Sequence, residues 1–286
     1  MTKKRYIINF SIILILATVS GFFMGNWYNS NFGRQVQEVT VSEETVRGDD
    51  LQKTLKKASG KSPLDLTATE NFILADYYLS QATSVHKHVS GAITAAGVKQ
   101  TLVSDKIKHD GSVYSNKISV SSFVKVAELY KHNIGENVVS VYNGNPTSST
   151  EATFPNTPSS EMTTDEYKTK FGSPIDDFIS LVVGTKTVIN QSKVTKTAEG
   201  NYEATLDLDT TYAVMNYSYE IKSTAGSSSL PYFKSIKLTF VIDNDWKLLS
   251  VKSSESYEVK IAVLGYTGCT AELLEEYTYD NVTIPE

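Results

Sequence analysis

Residues 233–259 read FKSIKLTFVIDNDWKLLSVKSSESYEV, and the reading of this stretch decides the fold. Ile236, Leu238, Phe240 and Ile242 share one parity, and Ser235, Lys237 and Thr239 share the other. A period of two is the signature of a strand with one apolar and one polar face. Asn244-Asp245 then supplies a turn, and Leu249, Val251, Ser253, Glu255, Tyr257, Val259, Ile261 and Val263 carry the alternation onward. A connection this short joins strands only in antiparallel fashion. The Ser/Thr/Lys-rich face implies a sheet packed on one side.

The same pattern extends in both directions. Downstream, Glu272–Tyr279 supplies a last strand. Upstream, Tyr202, Ala204, Leu206 and Leu208 form one alternating set, and Ala213, Met215, Tyr217, Tyr219 and Ile221 another. Strands are predicted over 86–94, 98–107, 113–126 and 137–142; in the third, Tyr114, Ile118, Val120, Val124 and Val126 share a parity. His109-Asp110-Gly111 is a turn signal. Residues 143–162, with prolines at 146, 155 and 158, read as a long surface loop.

Helical spacing occurs twice. Thr67 and Glu70 make a capping box before Phe72, Ala75, Leu79 and Ala82, with Ile73, Leu74 and Tyr78 widening the stripe. Thr163 and Glu166 make a second box. Ser173-Pro174 is expected to start a further helix with apolar face Ile175, Phe178, Ile179 and Val182, closed by Gly184. The predicted class is therefore α+β, an antiparallel sheet with helices at 67–83 and 164–183 on its apolar face.

The N-terminus sets the expected address. Lys3, Lys4 and Arg5 precede an uncharged apolar run from Tyr6 to Met24, followed by Trp27 and Tyr28. As a helix this run spans roughly 28 Å, close to the hydrocarbon thickness of about 30 Å. Basic residues on the N-terminal side alone keep that end cytoplasmic. Residues 1–28 read as a membrane anchor, with a cleaved signal peptide and a secreted product as the alternative. No cysteine follows the run to carry a lipid. Residues 29–62 read as a stalk, with a short helix over Leu51–Ala58, and residues 63–286 as an extracytoplasmic β-rich domain. A formal net charge of −5 argues against a nucleic-acid partner.

Motifs for chemistry are sparse. The sole cysteine, Cys269, excludes an intramolecular disulfide and reads as a small buried hydrophobe. His86 and His88 share a strand face, the spacing of a metal pair, but no third ligand is identifiable and both read as surface histidines. The acidic pairs are structural in kind: Asp176/Asp177 in a helix first turn, Asp207/Asp209 at a strand end, Asp243/Asp245 at a turn, and Glu275/Glu276 in the last strand. Ser122 and Lys125 match Ser-x-x-Lys, but within an alternating strand and without its partner motifs. Sequons at Asn190, Asn216 and Asn281 matter only in a eukaryotic secretory pathway. No catalytic residue, metal or other cofactor is expected.

An amphipathic helix entering long antiparallel strands, best seen in 233–259, resembles the half-barrel fold of bacterial lipoprotein carriers and mycobacterial lipid-binding lipoproteins. The chain departs from that group in lacking a lipidated cysteine. The resemblance implies a curved, half-barrel-like sheet covered by helices that hold an apolar ligand. Such a cavity would be lined by Phe72, Tyr78, Phe178, Tyr217, Tyr219 and Phe240, which are also the best core candidates. Three functions follow: an envelope module binding a lipid, glycan or protein; a structural or interaction component without a small ligand; and a hydrolase.

Overall fold

The computed structural model describes residues 42–43, 50–122, 124–225, 227, 229–261 and 265–285. The predicted membrane run, 6–24, and most of the stalk lie outside the described residues. Among the described residues no helix is long and apolar enough to cross a membrane.

Thirteen strands form one open, curved antiparallel sheet in the order β6-β5-β4-β3-β2-β1-β13-β12-β11-β10-β8, with β7 on β5 and β9 on β10. With helices on one face, this sheet fits a half-barrel. Its long members are β1 (Val85–Ala95), β2 (Val98–His109), β3 (Ser112–Val120), β4 (Lys125–Asn133), β5 (Val139–Pro146), β10 (Tyr202–Leu208), β11 (Tyr232–Ile242), β12 (Leu248–Ile261) and β13 (Gly265–Thr278). The short ones are β6 (Ala152–Thr153), β7 (Ser160–Met162), β8 (Val188–Gln191) and β9 (Thr195–Lys196). Asp110 and Gly111, both at positive φ (47° and 74°), close the β2–β3 hairpin at the predicted turn. The Asp243 carboxylate accepts from the amides of Asp245 and Lys247 and closes the β11–β12 turn.

Among the described residues, the helices with full ranges are α1 (Asp50–Ala58), α2 (Ala68–Gln81), α3 (Thr164–Phe171) and α4 (Tyr217–Ala225). Both capping boxes form, Thr67 with Glu70 on α2 and Thr163 with Glu166 on α3. α2 presses Ala68, Phe72, Ala75 and Leu79 onto β1 and β10–β13, where Leu206, Leu238, Phe240 and Ile242 complete the main core. Buried Asn71 fastens α2 by donating to Pro63 O (2.9 Å) and accepting from Trp246 Nε1 (2.7 Å). Within the stretch read as stalk, α1 is tied down by Asp50, whose carboxylate accepts from the amide and hydroxyl of Thr185.

Four expectations are corrected. The strand predicted over 113–126 is nearly all of β3 followed by the start of β4. Ser121 N–H donates to Val124 O (2.7 Å), and the chain reverses there into β4, which places Ser122 and Lys125 at a turn. Of the two helices predicted within 164–183, the first forms and ends at Phe171, where Gly172 takes a left-handed conformation; the second, from Ser173-Pro174 to Gly184, does not form. Segment 173–183 then crosses the sheet without helical structure, so Asp176 and Asp177 cap nothing and Gly184 ends no helix. The strand predicted over 213–221 is a turn followed by α4. Part of the predicted loop 143–162 folds back as β6 and β7 on β5.

Candidate functional site

Alternation sends Lys87 and Val89 of β1, Leu102, Ser104 and Lys106 of β2, and Ser115 and Lys117 of β3 to the inner face. There, with α2, α3, α4 and segment 173–181, they enclose a cavity of about 140 Å³. Its lining is mixed: Phe72, Val89, Ile93, Leu102, Leu238 and Leu273 are apolar, and Lys87, Lys106 and Lys117 with Glu128, Glu220, Glu255 and Glu275 are interspersed among them. α4 contributes Tyr217, Glu220, Ile221 and Thr224, a stripe at helical spacing.

The lysines hold the roof. Lys87 and Lys106 stand opposite each other in the β1–β2 register. Lys87 Nζ donates to Phe178 O (2.8 Å) and to Glu275 Oε1 (2.9 Å), and Lys106 Nζ donates to Asp177 O (2.6 Å). Lys117 Nζ donates to Thr224 Oγ1 on α4. Lys106 and Lys117 are half-buried and line the cavity. Burial, reinforced by Lys87, lowers Lys106 from 10.5 to about 8. Burial also lowers Lys117. Burial raises Glu255 from 4.5 to about 7, against hydrogen bonds from Ser253 and Tyr217 that favour its ionised form. Burial and then Asp76 raise Asp177 from 3.8 to about 6. Ser173 Oγ, buried in the wall, has no hydrogen-bond partner among the described residues. Near neutral pH the lining combines lysine Nζ groups, the Glu255 carboxyl close to half-ionised and the Ser173 hydroxyl with apolar side chains.

Of the six aromatic residues predicted to line a cavity, Phe72, Phe178 and Tyr217 do so. Phe240 lies behind the wall, edge-on to Phe72 with centroids 5.2 Å apart. Tyr78 is 40% exposed and stacks on Trp246 away from the cavity. Tyr219 is half-buried on α4 and is not among the lining residues. Sequence reasoning missed the charged half. Its signal was available in Lys87, Lys106 and Lys117, which share the strand parity of the inward Val89, Leu102 and Ser115.

Histidines gather elsewhere. On the outer face of β1 and β2, His86 and His88 both meet Asp105, the third group the sequence did not disclose. Ser84 Oγ lies 3.0 Å from His109 Nδ1, and His109 Nε2 lies 3.2 Å from Asp110. Asp110 is a fully solvated turn residue, and neither Ser84 nor His109 lines a cavity described above, so this chain of contacts has no recess for a substrate. His132 Nδ1 is 2.9 Å from Val138 O. Cys269 is buried, and its thiol is pushed up to about 11 by burial.

No protein-family model matches the chain, and no curated protein matches it. Among solved structures, a DUF1329 family protein from Desulfovibrio piger ATCC 29098 aligns with 75% of this chain and 93% of its own, at 11% identity and TM-score 0.26. An N-terminal dehydratase from the difficidin assembly line aligns with 73% and 82%, at 11% identity and TM-score 0.13. At these scores neither likeness speaks to fold or function.

Proposed function

We propose that this chain is a membrane-anchored, extracytoplasmic binding module whose inner cavity takes a small amphipathic molecule. The carrying observation is a cavity that combines apolar side chains with lysine, carboxyl and hydroxyl groups, Ser173 Oγ having no partner among the described residues. An apolar recess with a few converging polar groups is the usual form of a ligand site. The volume favours a ring or a short acyl segment over a two-chain lipid; a cavity of about 150 Å³ engineered into another protein takes up benzene. The basic, apolar leader supports the membrane address. Protease added to intact spheroplasts should digest the region beyond residue 63 and spare the N-terminus; the reverse pattern ends that address.

Full-length chain in detergent, titrated with the fluorescent amphipath 1-anilinonaphthalene-8-sulfonate, should bind it saturably. Leu102→Trp, which fills the recess from β2, should weaken that binding by about tenfold or more while leaving the circular dichroism unchanged. Undiminished binding by the variant, or none by the parent chain, would remove the ligand from this cavity. The modest volume also favours a second reading, an interaction component of an envelope complex with no small ligand. Absence of any probe binding, together with a stoichiometric envelope protein co-purifying with the full chain, would support it.

A further inference from the structure

We propose that His86, His88 and Asp105, on the face of the sheet opposite the cavity, form a binding site for a divalent transition-metal ion, with zinc as the ion of choice. His86 and His88 lie two residues apart on β1, and Asp105 stands opposite His88 on β2 in the hairpin register. His86 Nε2 is 2.9 Å and His88 Nδ1 2.8 Å from the same oxygen, Asp105 Oδ1. One donor atom from each of the three residues falls within 4.8 Å of the others. Around tetrahedral zinc, with bonds near 2.0–2.1 Å, donor atoms lie about 3.3 Å apart. The shared hydrogen bonds therefore need to open by only about 0.5 Å, within the reach of small side-chain rotations.

Three further observations point the same way. The support is rigid: all three ligands sit on registered strands, and the Asp105 backbone amide donates to Asn116 Oδ1 (2.9 Å) on β3. Access is open, with side-chain exposures of 33% for His86, 39% for His88 and 25% for Asp105. A cleft of about 360 Å³ between the outer face and residues 280–285 reaches His86 and Asp105 and is also lined by Asp280. It gives an ion a route in and leaves room for water at an open coordination position. The donor set selects the ion class. Two imidazole nitrogens and one carboxylate suit zinc, cobalt, nickel or copper, whereas calcium and magnesium require oxygen ligands.

Zinc alone is the probe. Chelator-stripped full-length chain in detergent, titrated against a chromophoric zinc competitor, should bind one equivalent saturably. Cobalt in its place should give visible absorption bands of low-coordinate nitrogen–oxygen ligation. His88→Gln and Asp105→Asn should each weaken zinc by roughly 100-fold or more. His132→Gln, on the inner face of β4 opposite Val113, should bind as the parent does. Melting without metal separates lost binding from lost folding: zinc should raise the parent's melting temperature and leave that of a folded Asp105→Asn chain unmoved. The proposal fails if the parent takes up no zinc saturably. It fails equally if His88→Gln and Asp105→Asn bind like the parent, since the three side chains would then only share hydrogen bonds.

Discussion

Glu255→Gln tests whether the cavity wall holds a carboxyl against its preference for ionisation. Glu255 is 4% exposed on β12 and accepts hydrogen bonds from Ser253 Oγ (2.9 Å) and Tyr217 OH (3.1 Å). Burial carries its pKa from 4.5 to about 7. Below pH 4.5 the group is protonated in both the folded and the unfolded chain and contributes nothing. Between 4.5 and 7 the folded chain keeps a proton that the unfolded chain has released, so stability falls as pH rises. Above 7 the whole penalty is present, roughly 3 kcal/mol at about 1.36 kcal/mol per pKa unit. Glutamine keeps the shape and cannot ionise. After a loss of about 1 kcal/mol for weaker hydrogen bonds, the variant should be more stable than the parent by about 2 kcal/mol at pH 8. For a domain of this size that corresponds to about 4–8 °C in melting temperature. At pH 5 the advantage should vanish. Thermal unfolding of both full-length proteins in detergent at pH 5 and pH 8, followed by circular dichroism, gives the difference; Asp177 and Lys106 titrate in both and largely cancel. A stability difference that stays constant from pH 5 to 8 would refute the reasoning.

Two further substitutions probe the frame around the site. Phe72→Ala removes a ring that is 1% exposed and packs edge-on against Phe240; it should cost about 3–5 kcal/mol in chemical denaturation, and a loss below about 1 kcal/mol would mean that α2 is not seated on the core. Gly172 ends α3 at φ +83°, and a Cβ there would lie 2.1 Å from Asn216 O, whereas Gly111 at φ +74° faces open space. Gly172→Ala should therefore cost distinctly more than the roughly 1 kcal/mol expected for Gly111→Ala, and equal losses would show that the α3 terminus can retreat from Asn216.

Strands were legible wherever alternation ran between recognisable turns. β11 and β12 flank Asp243–Lys247, and β2 and β3 flank Asp110-Gly111, so their pairing followed from the chain. β3 and β4 merged in the reading because the turn between them holds no glycine, proline or asparagine. Moreover, Val120, Val124 and Val126 keep one parity straight through it. Segment 173–183 carries helical spacing behind a proline, yet stays irregular because its backbone is claimed from a distance. Lys106 takes Asp177 O, Lys87 takes Phe178 O, and Val182 N–H donates to Ala213 O (2.8 Å). Those sheet lysines lie about 70–90 residues upstream, so no local pattern announces them. Conversely, 213–221 alternates but finds no strand to pair with among the described residues. Tyr217, Glu220, Ile221 and Thr224 then settle onto the cavity as one helical stripe.

The site was half legible for a related reason. A sheet packed on one side predicts apolar side chains inward and polar side chains outward; β10 and β11 obey this rule, as does β12 apart from Ser253 and Glu255, which enter the cavity. β1–β4 do not. Their inner face carries Lys87, Lys106, Lys117 and Glu128 into the cavity. Their outer face buries Ile107, Tyr114 and Leu129 under Val282 of the C-terminal segment. A pattern that assigns every lysine to solvent puts the polar wall on the wrong side and keeps only its aromatic neighbours, Phe72, Phe178 and Tyr217. The same inversion hid Asp105. Its parity follows Ile107, which the C-terminal segment covers, and the hairpin register that sets Asp105 against His88 becomes visible only once β1 and β2 are aligned residue by residue. A polar residue on the apolar parity of a strand is therefore what the proposed cavity site and the proposed metal site share on the two faces of this sheet, and no motif in the sequence marks either.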